Sequence, residues 1–289
     1  MTKIVRTKIG LLACPCFMLL VLAACFPNGE PLRVYFNVMT ANLYQGARND
    51  PGLDRIACYI SNADIVFLQE VEKGTSGRGG VDQAKELAQK SGLTSYRFAK
   101  RKDFDGGEGG IAILSRYPLS EVAIHAVPDA VYYQESTVII QAVVTFFSQR
   151  ITLFATHYPA GVSDPQLARQ LREKTTDFAL NLIAGVQGPI IFGGDLNATS
   201  DKVEVIRLTS QLTDAWNAAP QDRDHCGGGN DRIDYLLFRG PYVVRQYEAP
   251  CWPLNETYLP KYEKPNCALS GADLSDHPFV LVKYEIVGN

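Results

Sequence analysis

What this chain lacks narrows the reading first. None of its seven cysteines forms a C-x-x-C pair, so the spacing of a structural zinc site is missing. The glycine-rich segment EKGTSGRGG (Glu72 to Gly80) is not followed by Lys-Ser or Lys-Thr, and it does not read as a phosphate-cradling nucleotide loop. A stripe of Lys and Arg is missing too. The cluster Lys100-Arg101-Lys102 reads as part of a charged loop, Lys100 to Gly110, rather than a phosphate track. No internal repeat and no interdomain linker interrupts the chain, which points to one domain. Positive charge is scarce overall. The net charge is −3, so no global field draws the chain to nucleic acid or anionic lipid.

The apolar stretch Ile9 to Ala24 is too short to span a membrane comfortably. It follows Lys3, Arg6 and Lys8 and ends in Leu22-Ala23-Ala24-Cys25, the build of an export signal. Cysteine directly after Leu-Ala-Ala resembles the bacterial lipobox. The expectation is a signal peptide over 1–24, lipid modification of Cys25, an anchor or linker over 25–33, and a domain over 34–289. A plain secretory signal with a chance cysteine is the alternative. Residues 1–24 hold three cations and no anion, so their removal takes the formal charge from −3 to −6. The expected location is the bacterial cell envelope, with the mature chain anchored to the membrane rather than spanning it. A monomer is expected.

Export would leave Cys58, Cys226, Cys251 and Cys267 for disulfides. Cys251 and Cys267 share a Pro-rich irregular insertion and form the favoured bridge. Cys58, in the helical pattern LDRIACYI, reads as a buried thiol.

Several apolar runs end on a polar side chain. VYFNVMT (Val34 to Thr40) reads as a strand leading to Asn42. ADIVFLQE ends on Glu70, a costly place for a carboxylate without a partner. Thr137 to Phe147 and Arg150 to Thr156 form a hairpin that delivers His157. Pro189 to Phe192 leads through two glycines to Asp195 and Asn197, which an extended chain would point the same way. Asp234 stands among apolar neighbours in RIDYLLF. Asp276 and His277 precede the apolar run Phe279 to Val282. Leu167 to Ala184 reads as an amphipathic helix, and 201–218 as a helix followed by Leu212-Thr213-Asp214-Ala215-Trp216. Residues 240–272 read as irregular, with the aromatic insertion Tyr242 to Tyr262. Strands alternating with helices, and many hairpins, suggest an α/β (α+β) fold of two packed sheets with helices outside. Hard oxygen donors from Glu70, Asp195 and the asparagines suit Mg²⁺, and two histidines add acid–base capacity.

The motifs MTANL, FLQEV, GGIAILSRYP, FATHYP, GGDLNATS, RIDYLLF and SDHPFVL, in this order, resemble the endonuclease/exonuclease/phosphatase (deoxyribonuclease-I-like) superfamily. That resemblance covers essentially the whole mature chain. It implies a four-layered α/β sandwich of two mixed β-sheets flanked by helices. It also implies a Mg²⁺-dependent phosphoesterase (Mn²⁺ as a substitute) acting on a phosphodiester of DNA, RNA or a phospholipid. Carried over, Glu70, Asn42 and Asp276 belong to the metal. Asp195 orients or deprotonates the attacking water, and Asn197 binds phosphate. His277, oriented by Asp234, is base or charge stabiliser, and His157 donates to a phosphate oxygen. Nuclease chemistry leads. Sphingomyelinase-like or inositol-phosphate chemistry is the alternative, and a non-catalytic surface lipoprotein is the rival of another class.

Departures from the family pattern are Ala41 in place of a common aromatic and Gly-Glu-Gly-Gly before Ile111. Glu108 is offered there as a partner for His157. His157 itself stands where abasic-site endonucleases carry Tyr.

Overall fold

The computed structural model describes residues 33–44, 52–255, 257–262, 269–270 and 272–287. The expected signal segment, Cys25, residues 25–32 of the expected anchor, and Cys267 lie outside the described residues.

Strand β1 (Val34–Asn42) shows how the layers arise. Successive side chains on a strand point to opposite faces. Phe36 and Val38 therefore enter one core, and Met39 and Ala41 enter another. β1 pairs in parallel with β2 (Ile65–Lys73) and antiparallel with β13 (Val280–Ile286). They centre a seven-stranded sheet, completed by β3 (Ser95–Phe104), β4 (Gly107–Ser115), β10 (Asp224–His225) and β12 (Tyr242–Ala249). Its order is β10-β12-β13-β1-β2-β4-β3.

The second, six-stranded sheet contains β5 (Ser120–Tyr132), β6 (Glu135–Phe146), β7 (Gln149–His157), β8 (Ile190–Asp195), β9 (Thr213–Asp214) and β11 (Asp234–Arg239). Its order is β5-β6-β7-β8-β11-β9.

Between the sheets, Phe36, Val38 and Phe67 meet Ile140, Leu153, Ile191 and Leu236 in one buried cluster. Outside the first sheet, helices α1 (Leu53–Ile60) and α2 (Gln83–Ser91) place Ile56 and Leu87 on Met39, Val66 and Leu68. Outside the second, α3 (Pro165–Ala184) and α4 (Val203–Thr209) place Ile183 and Leu208 on Phe154, Phe192 and Leu237. The result is the four-layered α/β sandwich, helices on two mixed sheets. Truncating a fully buried side chain such as Leu153 to Ala is expected to cost about 2–5 kcal/mol. The start of α3 is set locally: Asp164 accepts from the backbone of Gln166 and Leu167, and Pro165 opens the helix.

Some expectations are corrected. Lys100 to Gly110 is no loop, because it forms most of the β3–β4 hairpin, turning at Asp105-Gly106. Within 201–218 the expected helix is α4, and the segment after it forms β9 and a single turn, α5 (Ala215–Ala218). The stretch 240–272 contains β12, which pairs with β13. β5 is an additional strand at a sheet edge, where Pro128 omits an N–H no neighbour requires. Cys251 bonds to Cys226 rather than Cys267, across a Cα–Cα distance of 4.9 Å. Cys58 is disulfide-bonded and is not a free thiol.

Candidate active site

Four site residues extend the inward-facing rows of their strands. Val38, Thr40 and Asn42 share a face of β1. So do Leu153, Ala155 and His157 on β7, Ile191, Gly193 and Asp195 on β8, and Phe238, Leu236 and Asp234 on β11. Apolar side chains fill the middle of the inter-sheet space, and polar ones occupy its rim. Pairing fixes their alignment: His157 lies opposite Asp195, and Asp234 lies opposite Asp195 from the other side.

Gly194 makes that alignment possible. Its φ is 140°, and a Cβ there would sit 1.9 Å from the carbonyl oxygen of Thr156. Any side chain would push β8 from β7 at the His157–Asp195 pair.

Glu70 breaks the alternation. The β2–β4 register shifts between Leu68 and Val71, and Glu70 adopts φ 56°, which is uncommon outside glycine. A bulge thus turns its carboxylate towards the rim, where Asn42 Nδ2 donates to Glu70 Oε1 at 3.3 Å. The same Nδ2 lies 3.1 Å from Asp195 Oδ2, so one amide bridges two carboxylates. Asn197 is also left-handed, at φ 48°, and does not continue an extended chain as the sequence suggested. Its N–H donates to Asp195 Oδ1 at 2.8 Å, a local turn, and its Nδ2 donates to the Tyr158 carbonyl.

His277 donates from Nδ1 to Asp234 Oδ2 at 2.8 Å. Because an ionised carboxylate only accepts, Nδ1 carries the proton. Asp195 Oδ2 lies 4.0 Å from the same nitrogen, and Asp276 Oδ1 lies 3.9 Å from Nε2. Asp276 is half-exposed and on the far side of the ring from Asp234. Ser275 ties this loop to β1: its hydroxyl donates to the Asn42 carbonyl at 2.7 Å and accepts from the His277 N–H at 3.1 Å. Trp252 Nε1 donates to the His277 carbonyl at 2.9 Å.

Charge balance drives the titration. Burial pushes the Asp195 carboxyl up, Asp234 repels its charge further, and it reaches about 7 despite the pull of His277. Burial alone would depress His277. The hydrogen bond and charge of Asp234, with Asp195 and Asp276, outweigh it and raise the ring to about 9. His157 goes the other way: burial, then the Arg101 cation, holds it well below 6.5. Burial and repulsion from Glu70 raise Asp276.

The donor set can be tested against a divalent cation. Asp234 Oδ1 is buried without a hydrogen-bond partner among the described residues, and Asp234 repels the charge of buried Asp195. Hard oxygens and unbalanced negative charge fit such an ion. Asp195, Asp234 and His277 form a compact group whose ligand atoms lie within 4.8 Å of one another. Nδ1 of His277 already shares its proton with Asp234, so this triad is better suited to proton handling than to ligation. Glu70 and Asp276 offer carboxylate oxygens nearby, whereas Asn42 turns Nδ2 to the carboxylates and its Oδ1 accepts from the Tyr44 N–H at 3.0 Å.

A cavity of about 360 Å³ opens beside Glu70 and His157, with Arg101, Lys102 and Phe104 in its wall. The sequence reading missed Arg101, Ser275 and Trp252. Glu108 does not reach His157 through any hydrogen bond or ion pair among the described residues. It pairs with Lys73 and Lys100, at 3.9 and 3.7 Å.

A two-sheet sandwich carrying acid and imidazole groups along one rim agrees with what comparison shows. Residues 39–277 match the Endonuclease/Exonuclease/phosphatase family, and the chain belongs to it. Members of this family are hydrolases of phosphoester bonds and typically depend on a divalent metal.

Similar solved structures include a family protein from Bacteroides thetaiotaomicron, at 15% identity and TM-score 0.65, covering 89% of this chain and 100% of that one. Truncated TDP2 of Caenorhabditis elegans is 20% identical, with TM-score 0.60 and coverage of 86% and 97%. Sphingomyelinase C of Streptomyces griseocarneus is 17% identical, with TM-score 0.57 and coverage of 86% and 99%. At these identities the likeness is one of fold. No curated protein matches the chain by sequence.

Proposed function

We propose that the chain is a Mg²⁺-dependent phosphodiesterase of nuclease type. The observation that carries this reading is the Asp234–His277 pair with Asp195 beside it, at the rim shared with Glu70. Glu70 and Asp276 would hold the ion, with Mn²⁺ as a substitute. Bound there, it would offset the charge that develops on the phosphoryl oxygens.

The roles of the protein groups follow from their protonation. His277, raised to about 9, is an imidazolium at neutral pH. It therefore suits charge stabilisation and proton donation to the leaving oxygen better than the part of general base. Asp195, at about 7, is the better acceptor for a proton from water. Asp234 fixes the His277 ring. Neutral His157 and Asn197 face the phosphate as hydrogen-bond donors.

Burial supports a nuclease over a lipid hydrolase. Tyr242, Tyr247, Tyr258 and Tyr262 of the aromatic insertion are buried, and Trp252 packs on Tyr59 and Phe279, with ring centroids 4.9 and 5.2 Å apart. These rings are spent on the core and present no apolar face to a bilayer. Mature protein with Mg²⁺, assayed on DNA, RNA, sphingomyelin and inositol phosphates, is expected to cleave nucleic acid first. Preferential turnover of sphingomyelin would move it to the lipid branch. Failure on every substrate, with Asp195→Ala indistinguishable from wild type, would leave the surface-binding reading.

Export with lipidation at Cys25 belongs to the same proposal. Disulfide-bonded Cys58, Cys226 and Cys251 support an oxidising compartment. Cys25→Ser is expected to shift the protein from the membrane to the soluble fraction, and unchanged partitioning would count against the anchor.

A further inference from the structure

Arg101 stands in β3 between Lys100 and Lys102, and its side chain is only 4% exposed. Nε donates to the Ser136 carbonyl at 3.2 Å, and Nη1 lies 3.1 Å from Glu135 Oε1. These contacts with β6 fix the guanidinium plane. Arg101 also lines the cavity beside Glu70 and His157, and Gly109 and Gly110 of the neighbouring β4 add no side chains to that lining.

An arginine fork presents five N–H donors in a geometry that matches phosphate oxygens. A second chamber of about 220 Å³ continues past Arg101. It shares Arg101, Glu135, Ala160 and Gly161 with the first and ends at Tyr132 and Tyr133.

We infer that Arg101 is the cation that receives a non-bridging oxygen of the substrate phosphate, and that the chamber behind it takes one ester substituent. The inference rests on the phosphodiesterase reading and deepens it. A phosphate held at Arg101 has Glu70 and His157 on one side and an open chamber on the other. Room on both sides is what a diester needs and a monoester leaves empty. Burial lowers the Arg101 pKa, whereas the charges of Glu135, Asp195 and Glu70 raise it, and the guanidinium stays charged. A purely structural strut between β3 and β6 makes a different prediction: lost stability, with turnover per folded molecule unchanged.

The test is steady-state hydrolysis of bis-p-nitrophenyl phosphate with Mg²⁺, alongside thermal melts. Arg101→Ala is expected to lose roughly 10²–10³-fold in kcat/KM, the scale of removing one donor to a developing oxyanion. Added guanidinium should restore about 10-fold of that loss, and Arg101→Lys should fall about 10-fold, keeping charge without the fork. Tyr133→Ala should raise KM for bis-p-nitrophenyl phosphate several-fold and leave p-nitrophenyl phosphate unchanged.

An Arg101→Ala protein within about twofold of wild type in kcat/KM overturns the inference, because one phosphate contact is worth far more. If that variant does not fold, Glu135→Gln decides. It frees the fork and should cost about fivefold in kcat/KM with little change in Tm, whereas unchanged turnover sinks the idea. If wild type hydrolyses no diester, the functional proposal fails and the subsite is judged separately. Calorimetry with inorganic phosphate should then show binding to wild type that Arg101→Lys weakens, and equal binding would reject the subsite.

Discussion

Two histidines face one crevice and are driven in opposite directions. His157 ends β7 and His277 precedes β13, and both stand beside Asp195. His277 has a carboxylate at 2.8 Å and is raised to about 9. His157 is buried with neither ring nitrogen hydrogen-bonded, although Nε2 lies 3.5 Å from Asp195 Oδ2, and it is held well below 6.5. Burial depresses both rings, and only His277 has a bonded carboxylate to offset it, while Arg101 adds to the depression of His157. Burial with a cation near one ring, and a bonded anion against the other, drive two identical side chains in opposite directions.

The harshest way to break that contrast is to remove Asp234. Asp234→Asn and His277→Ala are each expected to lower kcat by about 10³-fold or more, with the double variant little worse than either, because they act as a unit. Independent, additive losses measured on a diester substrate would dissolve the pair. The same Asp234→Asn change should lower the His277 midpoint, followed by NMR, from about 9, since the largest contributions opposing burial are gone and only the charges of Asp195 and Asp276 remain.

A loss of about 10²-fold is expected for His157→Ala. Its ring signals should stay in the neutral form from pH 8 down to pH 6, whereas titration near 6.5 would show that burial and Arg101 do not depress it.

Asp195 gives a stability effect of the opposite sign. Its folded pKa, about 7, is above the unfolded value. The contribution is therefore fully present below the unfolded value and lost as pH rises through about 7. Asp195→Asn should make the metal-free protein more stable at pH 8 by roughly 1–2 kcal/mol in denaturant melts, while abolishing turnover. Mg²⁺ should narrow that gap by stabilising wild type more.

The smallest effect is Glu108→Gln. Its partners Lys73 and Lys100 are solvent-accessible, so under about 1 kcal/mol is expected and turnover should not change.

The strand-end residues were legible because each follows a run of apolar side chains whose two-residue period continues to it. His157 after Leu153 and Ala155, and Asp234 before Leu236 and Phe238, are cases of one rule. Arg101 was hidden because three adjacent charges look like a solvated turn. Ala99 and Arg101 are both buried, but β3 shifts register against β4 between Lys100 and Lys102, so alternation alone does not carry through the charges. Glu70 was legible as an anomaly but not as a bulge, since a register shift depends on the partner strand. The Cys226–Cys251 pairing was not readable at all, because cysteine spacing leaves connectivity open.

That pairing has a bearing on how the proton-handling pair is placed. The covalent ring closed by Cys226 and Cys251, 25 positions apart, contains Asp234, and the first residue beyond it, Trp252, grips the His277 carbonyl. The acid partner is thus inside the loop, and the clamp on its imidazole begins where the loop shuts. A chain whose thiols are still free has to find both positions by packing alone. Closing the bridge therefore narrows where Asp234 and the Trp252 clamp can lie relative to one another.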